Sequence, residues 1–517
     1  MKINGKFLDK LNSYLAFPVL LLGLLVIQLR VLAHFPYFDE CLHLHYLWLL
    51  SKGLQPHVDF WCTYPILGYI FTLPFFRLFP TTAYLVLELR IFNTLLIILL
   101  WGIFTFHGRR VTGKWLWGFI PFILVLFDPD LGAFFSEYSI DHFAVLPAIA
   151  AMVIMFMKPN LIRIGLIAAL ALLSVMFTPK YGLLLLGAGA GYYIYCARHF
   201  CGLLKILSMI AAGSAVALVF TESVFLLSGY SLWENLYRAH LFMLRYKSGI
   251  ILTAAIFSRK GALFFAARYG YIILLMIAGI AAWGRFSFRQ SGVAAWTGCG
   301  ALGGVICSLP GLNPHFEQYL APVILVLLLF TPYIYFLVCY RRWQSIIMFL
   351  LILVALTAGT LTFPIAVTEL SGTLPCPRAP DRQYLALSPS KKYSTMKTLC
   401  HIQDLLEIIP EDEKVVGIWF GHPIFRMDET FVTYDERPTF INFIGEDEKA
   451  RGYFSPDYFA GELRRNPPAC VCFLNLDRNY PPGWREIVFE FLKTHQDEYT
   501  LIFQGNLPVH IRNDLLR

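Results

Sequence analysis

From about residue 13 to about residue 363, apolar runs of roughly 18 residues or more recur along the chain, separated by short segments that carry Lys and Arg. Inside a bilayer there is no water to bond backbone N–H and C=O groups, so each run must close them internally as a helix. The expected fold class is therefore a polytopic α-helical membrane protein. Of the 517 residues, 57% are hydrophobic and 15% charged, with a mean hydropathy of +0.60. Soluble domains carry about 25% charged residues. Ordinary charge density returns only in about the last 150 residues, in clusters such as Glu411-Asp-Glu-Lys414 and Glu446-Asp-Glu-Lys-Ala-Arg451. These features divide the chain into a membrane part, 1–363, and a water-exposed domain, 364–517.

The apolar runs centre near residues 24, 92, 121, 149, 170, 188, 215, 277, 301, 328 and 353, about eleven spans in all. Lys2, Lys6 and Lys10 precede the first run, which lacks a small-residue cleavage site and reads as a retained signal anchor. With that N-terminus cytoplasmic, every second loop is basic: Arg109, Arg110 and Lys114; Lys158 and Arg163; Arg198 and Lys205; Arg285 and Arg289; Arg341 and Arg342. Such an arrangement accounts for much of the net charge of +8 without an anionic partner, and nucleic acid is not invoked. It places residues 35–80, 128–141, the region near 180, 227–268, the region near 313 and the whole tail outside. In a bacterium that is the periplasmic face of the inner membrane.

The first outer loop holds the most unusual charges. Asp39 and Glu40 sit together just after the first run, in a chain that spends little on acid. Segments 42–50 and 66–79 are apolar with aromatics at helical spacing and are expected to lie as amphipathic helices in the membrane interface. That would hold the acidic pair at the water boundary, although Asp is also a good helix N-cap. In the tail, 414–420 and 469–474 read as buried strands and 456–465 and 484–493 as helices, a small α/β unit. Cys41 with Cys62, or Cys376 with Cys400, could form clips, while Cys470 and Cys472 are expected on opposite faces of one strand. No zinc-type Cys/His spacing occurs; His43, His45 and His57 could join a metal site or serve as interface histidines.

Three linked segments carry a resemblance: Phe38-Asp-Glu-Cys-Leu-His43, then Leu49-Leu-Ser-Lys-Gly-Leu-Gln-Pro-His-Val-Asp-Phe60, then Thr63-Tyr-Pro-Ile-Leu-Gly-Tyr69 leading into an apolar helix. Together they resemble the first periplasmic loop of the GT-C glycosyltransferases, in particular bacterial members related to dolichyl-phosphate-mannose protein mannosyltransferases and the lipid A aminoarabinose transferase. The resemblance implies transfer of a sugar from a polyprenyl-phosphate donor to a lipid, glycan or protein acceptor on the outer face. Metal dependence stays open, since some members use a divalent ion.

The resemblance also implies roles. Asp39 matches the family's general base, and Glu40 would support the acceptor or a neighbouring cation. Asp128 and then Glu137 are the first choices for the acid supplied by the next outer loop, from a cluster that also holds Asp130 and Asp141. Lys180, in Phe177-Thr-Pro-Lys-Tyr-Gly182, resembles a basic position expected at the donor phosphate, and His315, Gln318 and Tyr319 open another span on the same side. Arg90 matches an Arg-x-x-Asn pattern and, being intramembrane, needs a partner in the loop carboxylates or a lipid phosphate. Asp59, Tyr64 and His43 would support the acceptor or the loop. Residues 227–268 mix cations and aromatics, as suits a polyprenyl phosphate or anionic headgroups. A transporter or flippase of lipid-linked glycans is the alternative; it should show internal repeats and midplane polar helices, whereas the charges here cluster at the outer edge. A non-catalytic assembly subunit is the third reading.

Overall fold

A computed structural model describes residues 14, 17–18, 20–25, 28, 38–56, 59–60, 62, 64–127, 129–236, 259–290, 292–308, 317–337, 395–417, 425–428, 456–472, 484–504 and 507–516. Up to residue 337 the regular elements among these residues are helices, chiefly α1 (Phe38–Ser51), α2 (Leu67–Phe76), α3 (Leu85–Thr112), α4 (Leu116–Phe127), α5 (Pro129–Ser136), α6 (Asp141–Met155), α7 (Leu161–Phe177), α8 (Gly182–His199), α9 (Leu203–Leu227), α10 (Arg259–Gln290), α11 (Gly292–Ser308) and α12 (Glu317–Leu328). A helix covers each expected span centre from 92 to 328. The centre at 353 lies outside the described residues.

By length and composition, α3 (28 residues, mean hydropathy 1.9) and α9 (25 residues, 2.1) are long and apolar enough to cross a bilayer. Helix α3 ends as its sequence dictates. Arg109 and Arg110 occupy the last turn, where cations oppose the negative end of the helix dipole, and Gly113 takes the left-handed cap at φ 74°. Residues 259–268, expected as loop, already form the first turns of α10.

Small residues set the closest helix contacts. A Cβ built on Gly300 of α11 would lie 2.2 Å from the carbonyl oxygen of Gly187 on α8, and one on Gly191 would lie 2.1 Å from that of Trp296. In lipid, where helices gain nothing from hiding apolar surface from each other, such backbone approach supplies the attraction. Gly300→Val is expected to force α8 and α11 apart and cost about 1–3 kcal/mol. Gly303→Val, where a Cβ meets nothing within 4 Å, should cost little; comparing thermal midpoints of the two variants checks this.

Helix α1 departs from the interfacial expectation. Every residue from 40 to 50 is buried, so the helix packs inside the protein and has no face left for lipid. Its composition explains this, since an apolar helix without a polar stripe has nothing to present to water. Cys41 and Cys62 are buried and are not joined by a disulfide, so the proposed clip between them is not formed.

After residues 338–394, which fall outside the described set, the tail forms α13 (Thr395–Ile408), β1 (Lys414–Gly417), β2 (Met427–Asp428), α14 (Pro456–Arg465), β3 (Cys470–Cys472), α15 (Trp484–Thr494), β4 (Tyr499–Gln504) and β5 (Leu507–Arg512). The sheet order is β2-β1-β3-β5-β4, parallel among the first three and antiparallel from β3 through β4. Both expected strands and both expected helices are present. Cys470 and Cys472 correct the sequence reading: side chains two apart on a strand share a face, and their Sγ atoms lie 3.4 Å apart.

The tail is seated on the segment that runs from α1 to the start of α3. Leu399, Ile402 and Leu406 of α13, with Phe425, share the apolar core of α1 to α3. The rings of Phe425 and Phe76 lie 6.1 Å apart, the backbone N–H of Ala83 donates to Gln403 Oε1 at 3.0 Å, and Lys52 pairs with Glu411. That hydrogen bond from Lys52 holds the Glu411 carboxyl below its ordinary range.

Candidate active site

The site begins at the first turn of α1, where a carboxylate is favoured by the positive end of the helix dipole. Glu40 is fully buried there and accepts from Arg90 of α3 through both oxygens, Nε to Oε1 at 2.7 Å and Nη2 to Oε2 at 2.5 Å. The backbone N–H of Tyr138 donates to Oε1 at 2.9 Å. Arg90 is equally buried, and its planar fork suits bidentate pairing with a carboxylate. One helical turn further along α3, Asn93 Nδ2 donates to the carbonyl oxygens of Glu137 at 2.8 Å and Phe135 at 3.3 Å. The Arg-x-x-Asn pattern thus ties three pieces together: α1, α3 and the 137–140 turn.

Around this lock lies a ring of aromatic and hydroxyl groups. His43, one turn after Glu40, has Nδ1 at 2.6 Å from the Tyr69 hydroxyl, and its ring lies 4.9 Å from that of Tyr64. The Tyr138 hydroxyl donates to Thr72 Oγ1 at 2.8 Å, and Thr72 donates onward to the carbonyl of Gly68 at 2.9 Å. Burial pushes the Tyr138 phenol well above its ordinary range, with the Thr72 contact acting the other way. It therefore serves as a hydrogen-bond donor.

A second buried ion pair stands nearby. Lys180, in a short 3-10 turn between α7 and α8, pairs with Asp141 at the start of α6, each side chain 4% exposed. The Oδ1 atom of Asp141 is buried with no hydrogen-bond partner among the described residues, so this carboxylate is only half satisfied. Lys180→Met should leave it without its cation and cost about 3 kcal/mol, the lower end for breaking a buried ion pair. Thermal melts of the single variant and of Lys180→Met with Asp141→Asn check this, with the second change recovering part of the loss.

The other expected site residues distribute as follows. Glu137 is half-buried in the turn that Asn93 grips. Asp59 is exposed and closes its own turn, accepting from the backbone N–H of Gln55 at 2.7 Å. Asp39 lies in the first turn of α1, and Gln318 and Tyr319 lie in the first turn of α12; their side chains, and the whole of Asp128 and His315, fall outside the described residues. Among the described residues no group of three or more His, Cys, Asp or Glu side chains could hold a metal ion. Sequence reasoning missed Tyr69, Thr72 and Tyr138, which read as ordinary apolar-helix and loop residues. Asp141 is one of four competing acids in the sequence, and the signal that singles it out is Lys180, a buried lysine that needs an anion beside it.

These elements define a helical protein with buried charge pairs gathered around the start of α1 and the turns before α6 and α8, and with a mixed α/β tail packed on its first loop. Among solved structures, the chain is similar to that of ArnT from Cupriavidus metallidurans bound to undecaprenyl phosphate, with a TM-score of 0.55 at 14% identity over 97% of each chain. The likeness shows that this chain shares the fold of that protein. No protein-family model and no curated protein matches the sequence.

Proposed function

We propose that this chain is an integral membrane glycosyltransferase that moves a sugar from a polyprenyl-phosphate donor to a lipid, glycan or protein acceptor on the outer face of the membrane. The observation that carries this reading is the Glu40–Arg90–Tyr138 lock, which fixes the first turn of α1 against α3 and the 137–140 turn. Asp39 is the neighbouring residue on that turn. With Glu40 occupied by Arg90, we assign Glu40 to positioning and Asp39 to general base.

In the reaction, the acceptor hydroxyl oxygen attacks the anomeric carbon and its proton passes to the Asp39 carboxylate. The bond from that carbon to the phosphate oxygen breaks on the opposite face, inverting the centre and releasing polyprenyl phosphate. Lys180 meets the phosphate as its charge develops; Asp141, half satisfied by hydrogen bonds, holds the ammonium in place between turnovers. The membrane part spans 1–363, the N-terminus is cytoplasmic, and the 364–517 unit lies outside as a separate domain that covers the first loop.

The test is transfer by purified protein in lipid vesicles, using a panel of labelled polyprenyl-phosphate sugars and an outer-membrane lipid extract as acceptor. Transfer from at least one donor, with inversion at the anomeric carbon, is the expected result. Polyprenyl-phosphate sugars that stay intact across the whole panel while the folded protein moves them between leaflets would replace this reading with the transporter one. Chelator treatment in the same assay decides whether a divalent ion takes part.

A further inference from the structure

Helix α2 works on two sides. Tyr69 and Thr72 are committed to His43 and Tyr138, whereas Ile70, Leu73 and Pro74, with Arg77 just beyond the helix, recur at i, i+3, i+4 and i+7 and line a cavity of about 370 Å³. The other walls are the end of α1 with the turn after it, through Leu50, Gly53 and Gln55, and residues 227–230 following α9. Gly53 and Gly229 both sit at positive φ, 82° and 78°, which lets the two turns fold back around the opening at little cost.

The lining mixes apolar side chains with Gln55, Arg77, Ser228 and Tyr230, and Arg77 is the one cation among the described residues that form it. Arg77 is exposed, and among the described residues no carboxylate pairs with it. Its guanidinium is close enough to the half-buried Tyr230 that its charge opposes the upward push of burial on that phenol. Beside the cavity, Leu78, Leu226 and Leu227 are 76%, 66% and 89% exposed. Three leucines turned outward next to a guanidinium that has no carboxylate partner among the described residues form a boundary between an apolar surface and a cationic one.

We propose that this cavity binds the headgroup of an anionic membrane lipid, with Arg77 and the Tyr230 hydroxyl on the phosphate and the leucines against the acyl chains. One arginine matches the single charge of a phosphodiester. The cavity volume falls in the range that encloses a small ligand. The site is separate from the transfer chemistry proposed above and depends only on the chain residing in a membrane. Its consequence for that chemistry is indirect: a lipid held against α2 would brace the helix that carries Tyr69 and Thr72.

The full-length protein, purified in detergent, would be titrated with phosphatidylglycerol, with phosphatidylcholine and with inorganic phosphate. Bound lipid would be read by native mass spectrometry and stability by thermal midpoint. Phosphatidylglycerol is expected to bind and raise the midpoint, with Arg77→Gln weakening its binding about tenfold, Arg77→Lys retaining part of it and Tyr230→Phe giving a smaller loss. Equal binding of the two lipids by the wild type would overturn the proposal, as would unchanged phosphatidylglycerol binding by a folded Arg77→Gln variant. Protection by inorganic phosphate equal to that by phosphatidylglycerol would assign the cavity to a soluble anion and overturn the lipid assignment.

Discussion

Replacing Arg90 with methionine is expected to destabilise the protein by about 3–5 kcal/mol, the usual cost of leaving one member of a buried ion pair alone. Both side chains are fully buried, so water cannot take over the role of the guanidinium. Among the described residues, the Glu40 carboxylate would keep the backbone N–H of Tyr138 alone. It would then take up a proton or drag α1 toward solvent, and either response loosens the turn that carries Asp39. The fold itself would retain Asn93 and its two carbonyl contacts on the 137–140 turn, so the variant should still insert and melt cooperatively at a lower temperature.

The companion experiment separates charge from shape. Glu40→Gln combined with Arg90→Met removes the stranded charge and should recover a large part of the lost stability. Transfer activity should recover less than stability, because an uncharged pair no longer fixes the first turn of α1 with bidentate geometry. Thermal midpoints of the four combinations in detergent, beside transfer rates at a temperature where all are folded, give both readings from one set of proteins.

How much of this was legible beforehand depended on whether the deciding force acts locally. The tail elements follow alternation and helical periodicity within single segments, and their observed limits nearly coincide with the expected ones: Pro456–Arg465 in both, and Trp484–Thr494 against 484–493. The register of Cys470 and Cys472 was misjudged although it is equally local, since the alternation of a strand puts residues two apart on one face. Helix α1 was expected at the membrane surface because aromatic spacing cannot tell a lipid-facing helix from one enclosed by other helices. Only the arrival of α2, α3 and the tail around residues 40–50 settles that.

The candidate site shows the same division. That Arg90 needed an acid was evident from its place inside an apolar run. That the acid is Glu40, 50 residues earlier, is a consequence of how α1 crosses α3. Lys180 and Asp141 meet because α6 begins at the level where α7 ends in its 3-10 turn, which no spacing in the sequence encodes. Tyr138 and Thr72 carry no signal at all beyond their polarity, since their roles come from a single hydroxyl-to-hydroxyl bond between a loop and a helix 66 positions away.

The carboxylate of Asp39 is assigned the proton transfer, and losing a positioned general base lowers rate by about 10²–10⁴-fold. Asparagine keeps the shape and the capacity to cap a helix, and the Glu40–Arg90 pair that holds the turn is untouched, so stability should change little. The decisive measurement is sugar transfer by purified Asp39→Asn protein in vesicles with a polyprenyl-phosphate donor, beside its thermal midpoint. Loss of transfer by at least about 10²-fold with a near-normal midpoint is the result this account requires; transfer at near wild-type rate by the folded variant would contradict it.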